Sequence, residues 1–282
     1  MRGQFQESPE EAVATHAEPS GLGRQAAKGD TALVVTGGSL SVCLATKEAV
    51  YLAADSRYAG VPMPLCDSAR KLLPWGHTAL CGLSGLLRFT RIEYDHASRT
   101  AVRQSTFEIP DIIRGLNCAA PEPAEPALAA AFAEGLYNAL MPVWERFAKG
   151  LDEPLASGVD LAQILYANRT ASGLPFVACI NLRHCLRQQA SGRYDSTLEL
   201  PLTHYLLHDV TVHRPRVYLQ GRKRCVLREP IGTVHSEFDA MRAINNIFHR
   251  ARHDRQCASA IGGPVDIAVI DALGRRWLQC KP

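Results

Sequence analysis

The chain has 282 residues, of which 46% are hydrophobic and 21% charged, a balance typical of a globular protein with one large core or two small ones. Its formal net charge of +3 is too small to indicate a nucleic-acid partner by itself. Residues 1–21 are acidic and have no apolar core, unlike a secretory signal, and no segment has the roughly 18 apolar residues of a membrane helix. We therefore expect a cytoplasmic protein.

The nine cysteines are scattered through apolar segments and form no Cys-x-x-Cys pair. They stand at positions 43, 66, 81, 118, 179, 185, 225, 257 and 280. This pattern predicts reduced core residues rather than a disulfide framework.

The first part of the chain predicts a polar leader followed by strands. Residues 1–30 are rich in Glu, Pro, Gly, Ala and Ser, and we expect them to be disordered or loosely attached. Short apolar runs at 39–46 and 49–56, separated by Lys-Glu, predict a β-hairpin. Residues 70–85 predict a second hairpin, with its turn at Pro74–Gly76.

The rest of the chain predicts groups of consecutive helices and groups of consecutive strands. Apolar spacing predicts helices over 86–104 and 127–150. Strands are predicted at 162–170 and 174–182, a helix at 237–253, and a closing hairpin at 264–279. Runs of strands and runs of helices, without β-α alternation, favour an α+β sandwich in which helices cover stacked antiparallel sheets.

A candidate nucleophile precedes the first hairpin, in the sequence Gly37-Gly38-Ser39. If the chain is cut between Gly38 and Ser39, Ser39 carries both a hydroxyl nucleophile and a free amine, whose ordinary pKa of about 8 suits a general base. Gly38 has no Cβ and permits the strained turn that self-cleavage needs. By themselves, these few residues favour a plain glycine turn before a strand.

Spacing favours the catalytic interpretation. Asp55 lies 16 residues after Ser39, Lys71 lies 16 residues after Asp55, and Gly85 follows 14 residues later. These intervals, together with "VYLAADSRYAG" from residue 50 and "LCGLSGL" from residue 80, resemble the proteasome β-subunit family of N-terminal nucleophile hydrolases. The ungapped match covers about residues 38–90 and returns more weakly at 237–271, where "IGGPVD" is similar to the bacterial Anbu-type homologues.

The resemblance implies a four-layer αββα sandwich over residues 39–282, preceded by a propeptide of residues 1–38 that is removed by self-cleavage. It also implies the catalytic set Ser39, Asp55, Lys71 and Gly85. Lys71 is then expected to supply positive charge that lowers the pKa of the Ser39 amine and hydroxyl, and Asp55 to hold Lys71 in place. The N–H group of Gly85, expected at the start of a helix, is expected to form an oxyanion hole.

The same resemblance implies a substrate pocket for the residue before the cut bond. Carried over by position, its walls are Tyr58, Ala69, Leu73, Leu83 and Leu87. None is charged and Ala69 is small, so we expect a large apolar side chain to be accepted there and a charged one to be rejected.

The sequence departs from the family in two places. The nucleophile is Ser rather than Thr, so the methyl group that helps fix the side-chain rotamer is missing. In the C-terminal segment, Ala258 and Ile261 stand where the family has Asp and Ser. Asp254 and Ser259 lie close by and are candidate supporting residues if a short insertion shifts the register.

We therefore predict a self-processing peptidase without a cofactor or metal. Its expected partners are copies of itself, in a ring or stacked rings whose active sites face an inner chamber, and peptide or unfolded-protein substrates. A further expected partner is an ATPase that delivers substrates to this chamber. One alternative is a non-catalytic ring subunit with a structural or binding role. Another is a nucleic-acid-binding domain built on the basic run 213–228. The set His204, His208, Asp209 and His213 fits no familiar zinc spacing and favours a polar strand or loop.

Overall fold

The computed structural model describes residues 31–38, 40–58, 66–95, 97–98, 100–116, 126–149, 157–190, 192, 194–222, 226 and 231–280. Residues 1–30, which were predicted to be disordered, lie outside this set. The elements of the described chain are, in order, β1 Thr31–Gly37, β2 Leu40–Ala45, β3 Val50–Asp55, β4 Leu72–Trp75, β5 Ala79–Tyr94, β6 Ala101–Glu108, α1 Ile109–Leu116, α2 Pro126–Ala148, β7 Val159–Arg169, β8 Pro175–Gln188, β9 Tyr194–Glu199, β10 Leu202–Leu206, β11 Arg216–Gly221, α3 Glu237–His253, β12 Val265–Asp271 and β13 Gly274–Gln279. None of these helices is long and apolar enough to cross a membrane.

These strands form two antiparallel sheets. The larger sheet follows the path β1-β5-β7-β8-β10, with β4 and β6 also paired to β5 and β9 paired to β8. The smaller sheet has the order β11-β2-β3-β12-β13. The predicted α+β class, with antiparallel sheets, is therefore confirmed.

Buried apolar side chains form three clusters that relate the sheets to the helices. The first includes Phe89 of β5 and Trp144 of α2, and so joins the larger sheet to a helix. The second includes the smaller sheet and Phe248 of α3. The third takes side chains from both sheets, among them Leu52 of β3 and Leu165 of β7. The contact of the larger sheet with α2, the contact of the smaller sheet with α3 and the contact between the two sheets therefore each have an apolar core.

Most elements with strong local signals lie where the sequence predicts them. The β2–β3, β4–β5 and β12–β13 pairs are the three predicted hairpins. Helix α3 begins after Ser236, whose hydroxyl accepts the backbone N–H of Asp239 at 3.1 Å. Acidic residues in its first turn and basic residues in its last turn complement the helix dipole.

The helix predicted over 86–104 is wrong. Strand β5 runs for 16 residues. Its second half pairs with β1 on one edge and with β6 on the other. Leu87 and Phe89 are fully buried whereas Arg88 between them is partly exposed, which is the alternation of a strand. Hydrogen bonds from two neighbouring strands stabilise this segment as a strand: β1 is distant in the sequence, whereas β6 follows β5 directly along the chain.

The cysteines only partly follow their prediction. Cys43 and Cys81 are buried free thiols, but Cys66 and Cys280 are free and exposed. Cys257 is disulfide-bonded. The prediction that every cysteine is a reduced core residue is therefore wrong at these positions, because sequence spacing does not show which thiols meet in space.

Candidate active site

The two residues that flank Ser39 lie where the chain passes from the larger sheet to the smaller one. The N–H of Gly38 donates to the carbonyl oxygen of Gly85 at 2.9 Å. The N–H of Leu40 donates to Asp55 Oδ1 at 3.1 Å. Ser39 itself lies outside the described residues, so its role as nucleophile stays a prediction, although both of its neighbours are hydrogen-bonded to predicted site residues.

Lys71 is fully buried beside this crossing, with 0% of its side chain exposed. Its ammonium donates to Asp55 Oδ1 at 3.4 Å, to the carbonyl oxygen of Gly38 at 3.1 Å and to the carbonyl oxygen of Arg57. The ammonium also lies 5.4 Å from the centre of the Tyr58 ring, a cation–π distance. An ammonium has three N–H donors, and here each has an acceptor, which offsets the cost of burying the charge.

Asp55 is the anionic partner in this site and is 1% exposed. Besides Lys71 and the N–H of Leu40 on Oδ1, it accepts the N–H groups of Gly262 at 3.0 Å and Arg57 at 3.3 Å on Oδ2. Burial raises the pKa of Asp55 above its ordinary value, while Lys71 and the backbone donors oppose this rise. The carboxylate therefore joins four segments of the chain at one buried point.

Arg57 extends the site toward the turn that follows α3. Its Nε and Nη2 donate to the two carboxylate oxygens of Asp67 at 2.8 and 3.0 Å, and its Nη1 donates to the carbonyl oxygen of Ala258 at 3.1 Å. These hydrogen bonds hold the pKa of Asp67 below its ordinary value. Sequence reasoning missed Asp67, because an acid ten residues after Arg57 matches no motif that we used.

The glycine pair of the "IGGPVD" segment lets that turn approach the site closely. A Cβ on Gly262 would lie against Cζ of Arg57 and 2.5 Å from its Nε. Gly263 has φ +68, and a Cβ there would press on the hydroxyl of Ser56 and lie 2.8 Å from Cβ of Asp67. A larger residue at Gly262 would therefore displace the guanidinium of Arg57, and one at Gly263 would clash with Ser56 and Asp67 in a strained backbone conformation.

The candidate supporting residues have other described contacts. The carboxylate of Asp254 accepts the N–H of Gln256 at 2.8 Å, within its own turn, and Ser259 is exposed. Ala258 provides only its carbonyl group to Arg57, and Ile261 is buried. A supporting role for Asp254 and Ser259 stays a prediction.

Gly85 lies inside strand β5, so the prediction that it begins a helix is wrong. It pairs with Ala162 of β7, has φ +89, and its carbonyl oxygen accepts the N–H of Gly38. Its N–H group is therefore not at the start of a helix, since the next helix along the described chain begins at Ile109. Its role as an oxyanion donor stays a prediction.

The predicted pocket residues are packed together rather than lining an open cleft in this structure. Leu73, Leu83 and Leu87 are 2%, 0% and 0% exposed and belong to the cluster between the larger sheet and its helices. Ala69 is also buried, and the half-buried Tyr58 packs against the same cluster. Their role in binding a substrate side chain stays a prediction.

The histidine-rich segment forms no cluster with this site. His204 lies in β10, while His208 and His213 are exposed in the turns that follow. The carboxylate of Asp209 contacts the guanidinium of Arg216. Among the residues that the structure covers, no group of three or more His, Cys, Asp or Glu side chains is placed to hold a metal ion.

Comparison with known proteins finds similarity to solved structures. No protein-family model matches the chain, and no curated protein matches it significantly. The fold is similar to that of Anbu from Hyphomicrobium sp. strain MC1, with 13% sequence identity, 86% of each chain covered and a TM-score of 0.45. A likeness of this size establishes no activity.

Proposed function

We propose that this protein is a self-processing peptidase of the proteasome β type, with Ser39 as its nucleophile. The observation that carries the proposal is the hydrogen bond from the buried ammonium of Lys71 to the carbonyl oxygen of Gly38. That carbonyl belongs to the peptide bond between Gly38 and Ser39, which is the bond to be cut. A cation held there in a dry environment stabilises the negative charge that develops on the oxygen when the carbon is attacked.

The proposed self-cleavage proceeds in two balanced steps. Oγ of Ser39 attacks the carbonyl carbon of Gly38, and the hydroxyl proton passes to the amide nitrogen as the C–N bond breaks. The product is an ester between Gly38 and Ser39 Oγ, together with a free α-amino group on Ser39. Water then hydrolyses the ester: its hydroxyl goes to the carboxyl group of Gly38 and its other proton returns to Oγ. The amine subsequently acts as the base for cleavage of other peptides.

Asp55 and Arg57 act in this proposal as positioning residues. Asp55 holds Lys71 through an ion pair in which both side chains are 0% exposed. The carbonyl group of Arg57 accepts another of the Lys71 hydrogen bonds, and its guanidinium ties the end of β3 to Ala258. An ammonium with these partners has few alternative positions, so its direction toward Gly38 is pre-organised.

The proposal includes a helix–sheet–sheet–helix order of layers, for which the three apolar clusters are the support. It also includes a propeptide of residues 1–38 and a catalytic domain of residues 39–282. Residues 31–37 form β1 of the larger sheet, so the last part of this propeptide is a paired strand before cleavage. The catalytic domain acts in a ring of identical subunits, with peptides or unfolded proteins as substrates and an ATPase as a further partner.

The test is the intact mass of the purified protein. Wild-type protein should lose residues 1–38 and keep the 244 residues from Ser39 to Pro282. Ser39→Ala should keep its full length, whereas Ser41→Ala, a matched change two residues away in β2, should still be processed. A wild-type protein that keeps all of its residues after assembly would exclude the catalytic proposal.

One observation favours a second candidate function, a non-catalytic ring subunit. Ala258 stands where the family has an acid, and only its backbone carbonyl contacts Arg57. Full-length protein that assembles into a large oligomer and cleaves no peptide would support that second function.

A further inference from the structure

The backbone of β5 leaves no room for a side chain at residue 37, the second position before the bond to be cut. A Cβ on Gly37 would lie on the carbonyl oxygen of Gly85, 2.6 Å from Cα of Leu86 and 2.7 Å from the carbonyl carbon of Gly85. Real Cβ atoms do not approach other heavy atoms so closely, and all three atoms belong to the backbone. Backbone atoms in a paired strand cannot turn aside as the end of a flexible side chain can.

Residue 38, the position directly before that bond, is restricted in a different way. Gly38 has φ +99, a conformation that residues with a side chain rarely adopt. A Cβ there would lie 3.1 Å from the carbonyl oxygen and 3.4 Å from Cβ of Ala260. Both the conformation of the chain and the turn that follows α3 therefore favour glycine at this position.

The β5 strand cannot move back to make space, because it is itself closely packed on its other neighbour. Gly85 has φ +89, and a Cβ there would lie 2.7 Å from the carbonyl oxygen of Leu161 in β7. The nearby side chains of Leu83 and Leu87 are fully buried in the core. The site as described therefore has neither a movable wall nor an open apolar pocket beside Gly37 and Gly38.

We infer that the site selects substrates with glycine at both positions before the cut bond, which rests on the proposed peptidase function. The segment before the glycines shows how such a substrate binds: β1 pairs antiparallel with β5, from Thr31 opposite Glu93 to Gly37 opposite Leu86. An extended peptide adds to the same edge of β5 once β1 has left it. The substrate class is then an extended segment that ends in Gly-Gly, in contrast to the large apolar residue expected from the family resemblance.

The first test measures self-cleavage by intact mass over time. Gly37→Ala and Gly38→Ala should each be processed at least about tenfold more slowly than wild type, because each adds a steric or conformational penalty. Two matched variants should be processed at the wild-type rate: Gly232→Ala, where a Cβ meets nothing within 4 Å, and Gly274→Ala, which has φ +100 and equally open surroundings.

Processing of Gly37→Ala and Gly38→Ala at the wild-type rate would overturn this inference and leave the proposed function intact. A wild-type protein that is never processed would overturn both.

The second test needs no variant and uses processed wild-type protein. The probes are two fluorogenic peptides, one with residues 31–38 before the leaving group and one in which both glycines are leucine. The Gly-Gly peptide should be cleaved about 100-fold faster, since a misplaced carbonyl loses alignment with the nucleophile. Equal or faster cleavage of the Leu-Leu peptide, or cleavage of neither by processed protein, would overturn the inference.

Discussion

The ammonium of Lys71 and the carbonyl oxygen of Gly38, 33 positions apart in the sequence, are joined by a hydrogen bond of 3.1 Å. Lys71 directly precedes β4, and Gly38 directly follows β1. Asp55, at the end of β3, also contacts the ammonium. One buried charge therefore connects the end of β1, the end of β3 and the start of β4. Stability and proposed chemistry therefore depend on the same side chain.

Replacement of Lys71 by methionine should abolish self-cleavage and, when compared in the unprocessed Ser39→Ala protein, lower the free energy of unfolding by about 3–5 kcal/mol. The reason is that Asp55 loses its cation and remains buried, which is the costly way to break a buried pair. Lys47→Met, at an exposed lysine, is the control and should change neither property by a measurable amount. Intact mass and urea unfolding measure the two effects, and normal processing of Lys71→Met would remove Lys71 from the site.

The pH dependence of stability should also change in Lys71→Met. Burial raises the pKa of Asp55 above its ordinary value of 3.8, so this group's contribution to stability is greatest below that value and decreases as the pH rises through the raised pKa. Without Lys71 the ionised carboxylate is less favourable still. Urea unfolding of the unprocessed Ser39→Ala protein with and without Lys71→Met, at pH 5 and pH 8, should therefore show a larger loss of stability at pH 8. An equal deficit at both values would contradict this account of Asp55.

Gly263→Ala should destabilise the protein by about 2–4 kcal/mol, because it adds a strained backbone conformation to a clash with Ser56 and Asp67. Gly158→Ala is the control: it also has positive φ, +79, but a Cβ there meets nothing within 4 Å. It should cost only the conformational part, about 1–2 kcal/mol. Thermal or urea unfolding measures both, and equal costs would show that close approach of the turn is unimportant.

The free cysteines should differ widely in reactivity. Cys66 is exposed, and the hydrogen bond with Ser68 lowers its pKa below the ordinary value. Burial raises the pKa of Cys43 and Cys81 well above that value. Because the thiolate is the reactive form, iodoacetamide should modify Cys66 first and leave Cys43 and Cys81 unmodified until the protein unfolds. Peptide mapping by mass spectrometry identifies the modified positions, and early labelling of Cys81 would contradict the described packing.

Assembly should give a species on the order of several hundred kilodaltons, since closed rings of identical subunits bury exposed apolar surface. The predicted helix over 86–104 is strand β5 and part of β6, so it supplies no helix face for such contacts. Exposed apolar side chains remain at the start of α3 and along the closing hairpin, where Phe238, Leu273 and Trp277 are 70%, 90% and 42% exposed. Size-exclusion chromatography with light scattering measures the mass, and a monomer of about 31 kDa at micromolar concentration would contradict the ring.

Local sequence signals were sufficient for elements whose stability is largely local. The hairpins at 39–56 and 264–279 have short apolar runs on both sides of a turn, and the helix at 237–253 has its own N-cap and dipole-compatible charges. The proximity of Asp55 and Lys71 was also predicted, but only through the family resemblance. Spacing alone does not bring the two side chains together.

Other features depend on partners that the local apolar pattern does not identify. Strand β5 continues to Tyr94 because β1 and β6 supply hydrogen bonds on either side, whereas its apolar spacing alone suggested a helix. Asp67 became a site residue only because the fold brings it to Arg57. The sequence by itself was sufficient for the three hairpins and for the helix at 237–253. Only the tertiary structure decided that Gly37 faces the backbone of β5 with no space for a side chain, because steric exclusion depends on which strands become neighbours.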